Sequence, residues 1–368
     1  MVRVHAEVAA GVAAAIRGGD VRLTTNSVDI AIRDGVAPLL AASPAASSLD
    51  TGARQRLTAH AQGAAIQAAA LDDELRRLLA ALAAGGAHPV LVIKGAHLAH
   101  AVYPAPQLRP RSDTDLLIAA ADRRAITAAL ERAGYLPAAL VNGRILLGQF
   151  LYHRTLGPGM VHDVDVHWRA AAPLVFSDAV DTAAVYRDGM ALPAFGPTAR
   201  GPSLPDALAL ACVHVVAHHW PDGSLRWWHD LFLLAGRLDD DGRHRFAAAA
   251  TRGRYCSVAI AAIARARSVF PSPALDAALD RLRSAGAVDE PSAALTSPHR
   301  RGIDDFLLDL RVAGWRSGTA LVREHLLPPP TYMRLAFAGR PLPMAYVERL
   351  VRAVTKRTIG RSGDRVIG

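Results

Sequence analysis

Arg109-Pro110-Arg111-Ser112-Asp113-Thr114-Asp115-Leu116-Leu117-Ile118 runs from a basic, proline-broken loop into a short apolar strand. Side chains alternate along a strand, so Asp113 and Asp115 share one face, with alpha carbons about 6.6 Å apart. Like charges so close repel unless a cation lies between them. Magnesium suits that position, because it takes carboxylate oxygens and leaves its other positions to water and phosphate. The plainer reading is a solvated strand end that caps the next turn, and a bare Asp-x-Asp motif is compatible with it.

Upstream, Val90-Leu91-Val92-Ile93 is a short apolar run of the kind a buried strand shows. Lys94-Gly95-Ala96 follows, where that strand meets a helix predicted over 95–102 and stopped by Tyr103-Pro104-Ala105-Pro106. Gly95 lets a ligand approach the backbone, the free amides of a helix start favour phosphate oxygens, and Lys94 adds a mobile charge. Without the aspartates this would read as an ordinary strand-to-helix turn.

Downstream, a helix predicted over 122–133 ends at Gly134, and strands are predicted over 145–153 and 161–168 around a Gly157-Pro158-Gly159 turn. The second strand, His162-Asp163-Val164-Asp165-Val166-His167-Trp168, places Asp163, Asp165 and His167 on one face. Paired beside the first strand, it would bring a third carboxylate to the first two. Three carboxylates can hold two magnesium ions about 3.5–4 Å apart, the clamp used in phosphoryl transfer. The third is also placed to take a proton from an acceptor hydroxyl. Spacing alone does not choose between Asp163 and Asp165.

Around this core the chain reads as helical. Residues 1–84 are rich in Ala and Leu with helical spacing, clearest at Leu71, Leu75, Leu78, Leu79 and Leu82, interrupted by a loop over 42–48. Residues 85–200 form the mixed core, 201–326 a helical domain, and 327–368 a helical segment with a helix over 344–354 and a basic tail. The expected fold class is α+β: a small mixed β-sheet core with helical flanks. With 368 residues and 51% hydrophobic side chains, the chain is long and apolar enough for a large core.

The 42 basic and 33 acidic residues give a net charge of +9. All but two of the basic residues, Lys94 and Lys356, are arginines, which reflects coding bias more than an anionic partner. A lysine kept against that bias is informative, since its compact ammonium differs from a planar guanidinium. Cys212 and Cys256 fit no metal or redox spacing and agree with a reduced compartment. With no signal-peptide pattern and no apolar run long enough for a bilayer, the expected localisation is cytoplasmic, without membrane association.

Lys94-Gly95, then Arg109 to Leu117, then Asp165-Val166-His167-Trp168 together resemble the uncharacterised nucleotidyltransferase family of the DNA polymerase β-like superfamily. The likeness extends to Leu225-Arg226-Trp227-Trp228-His229-Asp230-Leu231 and to Pro329-Pro330-Thr331-Tyr332. The resemblance implies a polymerase β-like core and magnesium-dependent transfer of a nucleoside monophosphate from an NTP. It implies Asp113, Asp115 and Asp165 as metal-binding catalytic carboxylates, with Lys94, Gly95, Arg109 and Ser112 near the nucleotide. Two departures stand out. The superfamily's Gly-Ser is Gly95-Ala96 here, and Gly95 lies 18 positions before Asp113. Arg109 and Arg111 fill that longer loop and can grip phosphate in place of the lost hydroxyl.

His214 and His218 share a helix face at the spacing of zinc-binding helices, but no glutamate follows His214 as HExxH requires. Packed core histidines are the simpler reading. The resemblance implies a third, in which His214 and His218, with Arg226 and Asp230, face the cleft and touch the NTP or the acceptor. Trp227 and Trp228 read as core, with one ring free to stack on a base. The basic tail, including Arg349, Arg352, Lys356, Arg357, Arg361 and Arg365, reads as a solvated terminus. The favoured acceptor is a small molecule, peptide or natural product. An RNA end, terminal-phosphate transfer and a non-catalytic nucleotide-binding scaffold are the alternatives.

Overall fold

The computed structural model describes residues 2–85, 90–138, 148–169, 173–177, 179–285, 289–300 and 302–355. It opens with four helices, α1 (Val2–Ile16), α2 (Thr25–Arg33), α3 (Ala37–Ala41) and the long α4 (Thr51–Ala84). Asp50 starts α4 by accepting from the Ala53 amide, and Gly85 closes it. The predicted loop over 42–48 contains a 3-10 turn, Pro44–Ser48. The Ser47 and Ser48 hydroxyls donate to the Pro44 and Ala45 carbonyls there, which tightens the segment into a turn.

The middle of the chain is a seven-stranded mixed sheet. In chain order come β1 (Leu91–Ile93), α5 (Lys94–Ala101), β2 (Asp113–Leu117), α6 (Arg123–Arg132), β3 (Leu136–Pro137), β4 (Gln149–Gly157), β5 (Met160–His167), α7 (Thr182–Arg187), β6 (Met190–Ala191) and β7 (Arg200–Gly201). Their order across the sheet is β3-β4-β5-β2-β1-β7-β6. β2 runs antiparallel to β1 and parallel to β5, and β4 and β5 form a hairpin closed at Pro158-Gly159, where Gly159 has φ +73°. The predicted strand over 145–153 is β4 from Gln149 onward; its residues 145–147 lie outside the described residues. The two-residue strands β3, β6 and β7 are too short for alternation to reveal them.

Alternation divides the sheet into two faces. Val92, Leu116, Val164 and Val166 face a core made with Leu75, Leu78, Leu79 and Leu82 of α4 and with Ile126 and Leu130 of α6. On the other face Leu91, Ile93 and Leu117 pack with Val185 of α7 and Leu210 of the next helix. That second apolar patch is small, and the rest of its face is polar.

The carboxyl-terminal helices are α8 (Leu204–His219), α9 (Leu225–Arg237), α10 (Asp240–Arg252), α11 (Cys256–Val269), α12 (Pro273–Ser284), α13 (Gly302–Leu326), α14 (Pro330–Ala336) and α15 (Leu342–Thr355). Those from α8 to α12 share one large core with α1, α2 and α3, in which Trp228, Phe246 and Phe270 are fully buried. α13 is broken at Gly314, which has φ +67°. α15 extends the predicted 344–354 helix slightly at both ends, and the tail from Lys356 onward lies outside the described residues. Among the described residues no helix is long and apolar enough to cross a membrane. Cys212 and Cys256 are buried free thiols.

Candidate active site

The two carboxylate-bearing strands lie side by side. β2 and β5 pair in parallel with Asp113 opposite Asp163, Asp115 opposite Asp165 and Leu117 opposite His167. Equal alternation on both strands puts these side chains on the face turned toward α8. A cleft of about 400 Å³ separates that face from the helices. Lys94, Ser112, Asp113, Asp115, Asp165 and His167 line it from the sheet side, and His214, His218, His219, Arg226 and Trp227 from the helical side.

Inside the cleft, Asp115, Asp165 and His167 each offer a ligand atom, and these atoms lie within 4.8 Å of one another. The Asp165 Oδ1 atom is buried and has no hydrogen-bond partner among the described residues. A buried carboxylate oxygen left unpaired is costly unless a cation meets it. Two carboxylates and an imidazole fit a divalent ion. The sequence points to three carboxylates, whereas the tight group is two carboxylates and one histidine, with Asp113 bordering the same cleft. Asp163 does not line it.

Charge crowding marks the group. Burial pushes the Asp165 carboxyl up to about 7, and the neighbouring Asp115 and Asp113 add to the shift against the opposing pull of Lys94. Asp113 moves upward for the same reasons, burial first and Asp115 second. Burial works the same way on Asp115, but Lys94 and His167 overcome it and hold Asp115 well below the usual carboxylate range. The Lys94 Nζ donates to Asp115 Oδ1 at 2.6 Å and lies 3.3 Å from His167 Nε2, which is itself 2.9 Å from the same oxygen. Burial acts against the Lys94 ammonium, but Asp115, Asp165 and Asp113 more than offset it and raise its pKa.

Lys94 also departs from ordinary backbone geometry. As the first residue of α5 it has φ +50°, a left-handed conformation that costs a non-glycine residue about 1–2 kcal/mol. The following Gly95 answers a different need. A Cβ there would lie 2.9 Å from Arg109 Nη1, so glycine makes room for the guanidinium.

Arg109 is committed to protein partners. Its Nε and Nη2 donate to the two oxygens of Asp230 at 2.9 and 2.7 Å, and the Tyr103 hydroxyl donates to Asp230 Oδ1 at 2.7 Å. All three residues are buried. Asp230, which the resemblance implies to face the cleft and touch the NTP or the acceptor, is occupied in anchoring the loop that precedes β2. Arg111 is likewise held: Nη2 donates to Asp72 Oδ1 at 2.6 Å and Nη1 to Thr114 Oγ1 at 2.8 Å. The guanidinium facing the cleft without a carboxylate partner among the described residues is Arg226. It donates to the Pro110 carbonyl at 3.1 Å and stacks over Trp227 at 4.6 Å. Gly35, at φ +70°, lets the chain pass close behind Arg226, where a Cβ would meet Nη1 at 3.2 Å.

A directional chain of hydrogen bonds supports β2 and β5 from the opposite face. Arg111 donates to the Thr114 hydroxyl, which donates to His162 Nε2 at 2.8 Å. His162 Nδ1 donates to the Tyr135 hydroxyl at 2.7 Å, and Tyr135 donates to Glu74 Oε1 at 2.8 Å. This order needs a neutral imidazole with its proton on Nδ1. Burial and then the charge of Arg111 supply that condition by depressing the His162 pKa to about 4.

On the helical wall, His214 contacts His218, His219 and the edge of Trp227, and His219 stacks on Trp227 at 4.8 Å. Burial and the nearby Lys94 depress the His214 pKa well below its ordinary value, which keeps the ring neutral. Trp228 is core, as expected, while Trp227 lines the cleft. Sequence reading did not assign His167 to the convergent group, although its place in the Asp163-Asp165-His167 alternation marked it. Asp72 and Glu74 were also missed. Their signal was two acids beside the leucine-rich face of a long helix.

Residues 25–271 match the uncharacterised nucleotidyltransferase family, well over half of the chain. The protein belongs to that family. It is accordingly a transferase of nucleotidyl groups, and an NTP is the implied donor. The matched region begins at α2 and ends after α11, so it takes in both walls of the cleft. No curated protein matches the sequence.

Proposed function

We propose that this nucleotidyltransferase binds a magnesium–NTP complex in the cleft and transfers the nucleoside monophosphate to a small-molecule, peptide or natural-product acceptor. One observation carries the reading: Asp115, Asp165 and His167 converge beside Lys94 with an Asp165 oxygen left unpaired. Asp115, Asp165 and His167 would hold the metal, with Asp113 completing the acidic set. A bound divalent ion would neutralise charge developing on the reacting phosphate.

The remaining chemistry belongs to the chain. Asp165, the third carboxylate of the cleft, accepts the proton of the attacking hydroxyl. Lys94 and Arg226 bind phosphate oxygens from opposite sides of the cleft, and Ser112, exposed at its rim, donates a hydroxyl. Gly95, Arg109 and Asp230 set the shape of the loop that presents Asp113. His214 and His218 orient the acceptor as neutral imidazoles. The cleft volume falls in the range of small-ligand sites, which favours a small acceptor over an RNA end.

Incubation with magnesium and NTPs labelled separately at the α- and γ-phosphates, with candidate acceptors, tests the reading. Transfer of the α-label with pyrophosphate release is expected. Transfer of the γ-label alone would replace nucleotidyl transfer with phosphotransfer, and RNA labelling would replace the small acceptor.

A further inference from the structure

Lys94 sits where a metal's charge is wanted. Its Nζ is 2.6 Å from Asp115 Oδ1 and 3.3 Å from His167 Nε2, on two of the three residues that converge on the candidate metal position. An ammonium can only donate. Asp115 Oδ1 is satisfied by the ammonium and by a proton on His167 Nε2, and a protonated Nε2 cannot ligate a metal. The group as it stands is therefore complete without a metal on the Asp115 side and incomplete on the Asp165 side, where Oδ1 lacks a partner.

The backbone holds Lys94 to this arrangement. It adopts φ +50° at the β1–α5 junction, a conformation a lysine takes only when its surroundings impose it. Its side chain nevertheless keeps about a quarter of its surface exposed to the cleft, so the ammonium has somewhere to go.

We infer that the Lys94 ammonium is a resident counter-ion which a divalent cation must displace from Asp115 and His167, and which on displacement becomes the group that binds the triphosphate. This rests on the reading of Asp115, Asp165 and His167 as metal ligands. Lys94 then has opposite effects on two ligands. It competes with the bare metal, and it favours the metal–nucleotide complex, whose phosphates give the expelled ammonium a new partner. Loading is thereby biased toward metal arriving with nucleotide. A site whose binding-competent state is one-tenth populated binds its ligand about tenfold more weakly, and that is the size of effect expected.

The test is titration of the full-length protein with Mn²⁺ in the absence of nucleotide, reading free Mn²⁺ by its paramagnetic resonance signal. The variants are wild type, Lys94→Met, Lys94→Gly and Asp165→Asn. Lys94→Gly removes the ammonium at a backbone angle that glycine adopts freely, and so covers the case in which Lys94→Met fails to fold. Both Lys94 variants are expected to bind Mn²⁺ about tenfold more tightly than wild type. Both are expected to bind a non-hydrolysable NTP with magnesium more weakly. Mn²⁺ affinity equal to or below that of wild type in a folded Lys94 variant would overturn the inference. If Asp165→Asn abolishes saturable Mn²⁺ binding in that same experiment, the metal site itself still stands. Absence of Mn²⁺ binding in every protein, or unchanged binding in Asp165→Asn, would overturn the metal site and the counter-ion role together.

Discussion

The two walls of the cleft satisfy their polar groups in opposite ways. On the helical side, Arg109, Asp230 and Tyr103 are closed on one another, and His214, His219 and Trp227 pack ring against ring. On the sheet side, three carboxylates crowd around one ammonium, Asp165 keeps an unpaired oxygen, and Lys94 holds a costly backbone angle. Apart from Arg226, the first wall is built as a protein interior is built, its buried groups paired with or packed on one another. The second carries imbalances that an interior would not keep, and such imbalances concentrate where a ligand supplies the missing partner. The family match, residues 25–271, spans both walls.

The sharpest way to break the contrast is to neutralise one wall at a time. Asp115→Asn or Asp165→Asn is expected to lower NTP turnover by about 10²–10⁴-fold with the fold intact. Asp163→Asn, which alters a carboxylate outside the cleft, should leave turnover within a few-fold of wild type. Loss of activity in Asp163→Asn but not Asp165→Asn would mean that the strand assignment is off by one pair. Steady-state kinetics and circular dichroism on the three variants decide this.

The helical wall should respond in stability. Asp230→Asn leaves the buried Arg109 guanidinium without its counter-charge, and breaking such a pair costs about 3–5 kcal/mol. Urea denaturation measures it. A loss below about 1 kcal/mol would mean that Arg109 finds another partner, which would favour a role for it in phosphate binding.

The third expectation concerns pH without divalent ions. Folding raises the Asp165 pKa from an ordinary value near 4 to about 7. Between those values the folded protein holds a proton that the unfolded chain has released, so this group lowers stability as pH rises from about 4 to about 7. Above pH 7 the full penalty applies, at most about 4 kcal/mol. Asp165→Asn removes it. The variant should melt above wild type at pH 8, with the gap closing toward pH 4; a gap that does not change with pH would refute the assignment. Smallest of all, His218→Ala, at the exposed end of α8, should change kcat/KM by less than tenfold. A larger loss would move that histidine from orientation into chemistry.

How far the sequence carried the reading follows from the same contrast. Alternation put Asp113 with Asp115 and Asp163 with His167 on shared faces, and the β2–β5 pairing joined the two sets in register. Strand periodicity is local, so six residues suffice to read it. The partners of Arg109 and Arg111 were not legible, because Asp230 and Asp72 lie 121 and 39 residues away and nothing local links them. Gly95 reads in sequence as a ligand-approach glycine and does line the cleft, but the Arg109 guanidinium beside it is brought in by the loop fold and has no local signal. The lysine kept among arginines is the residue with φ +50° whose ammonium meets Asp115. Its bond to Asp115 needed the antiparallel β1–β2 pairing, which places Ile93 opposite Asp115.

The β4–β5 hairpin has a practical consequence. Its tip at Pro158-Gly159 is open, and a side chain added at Gly159 would meet nothing within 4 Å. Asp165 lies five residues along the strand from Met160, roughly 16 Å from that tip. A short epitope or a fluorophore-bearing insert at the tip would leave the strands paired as they are. The enzyme can then be immobilised or tracked through the hairpin that delivers one of its own carboxylates, with the label kept clear of the cleft.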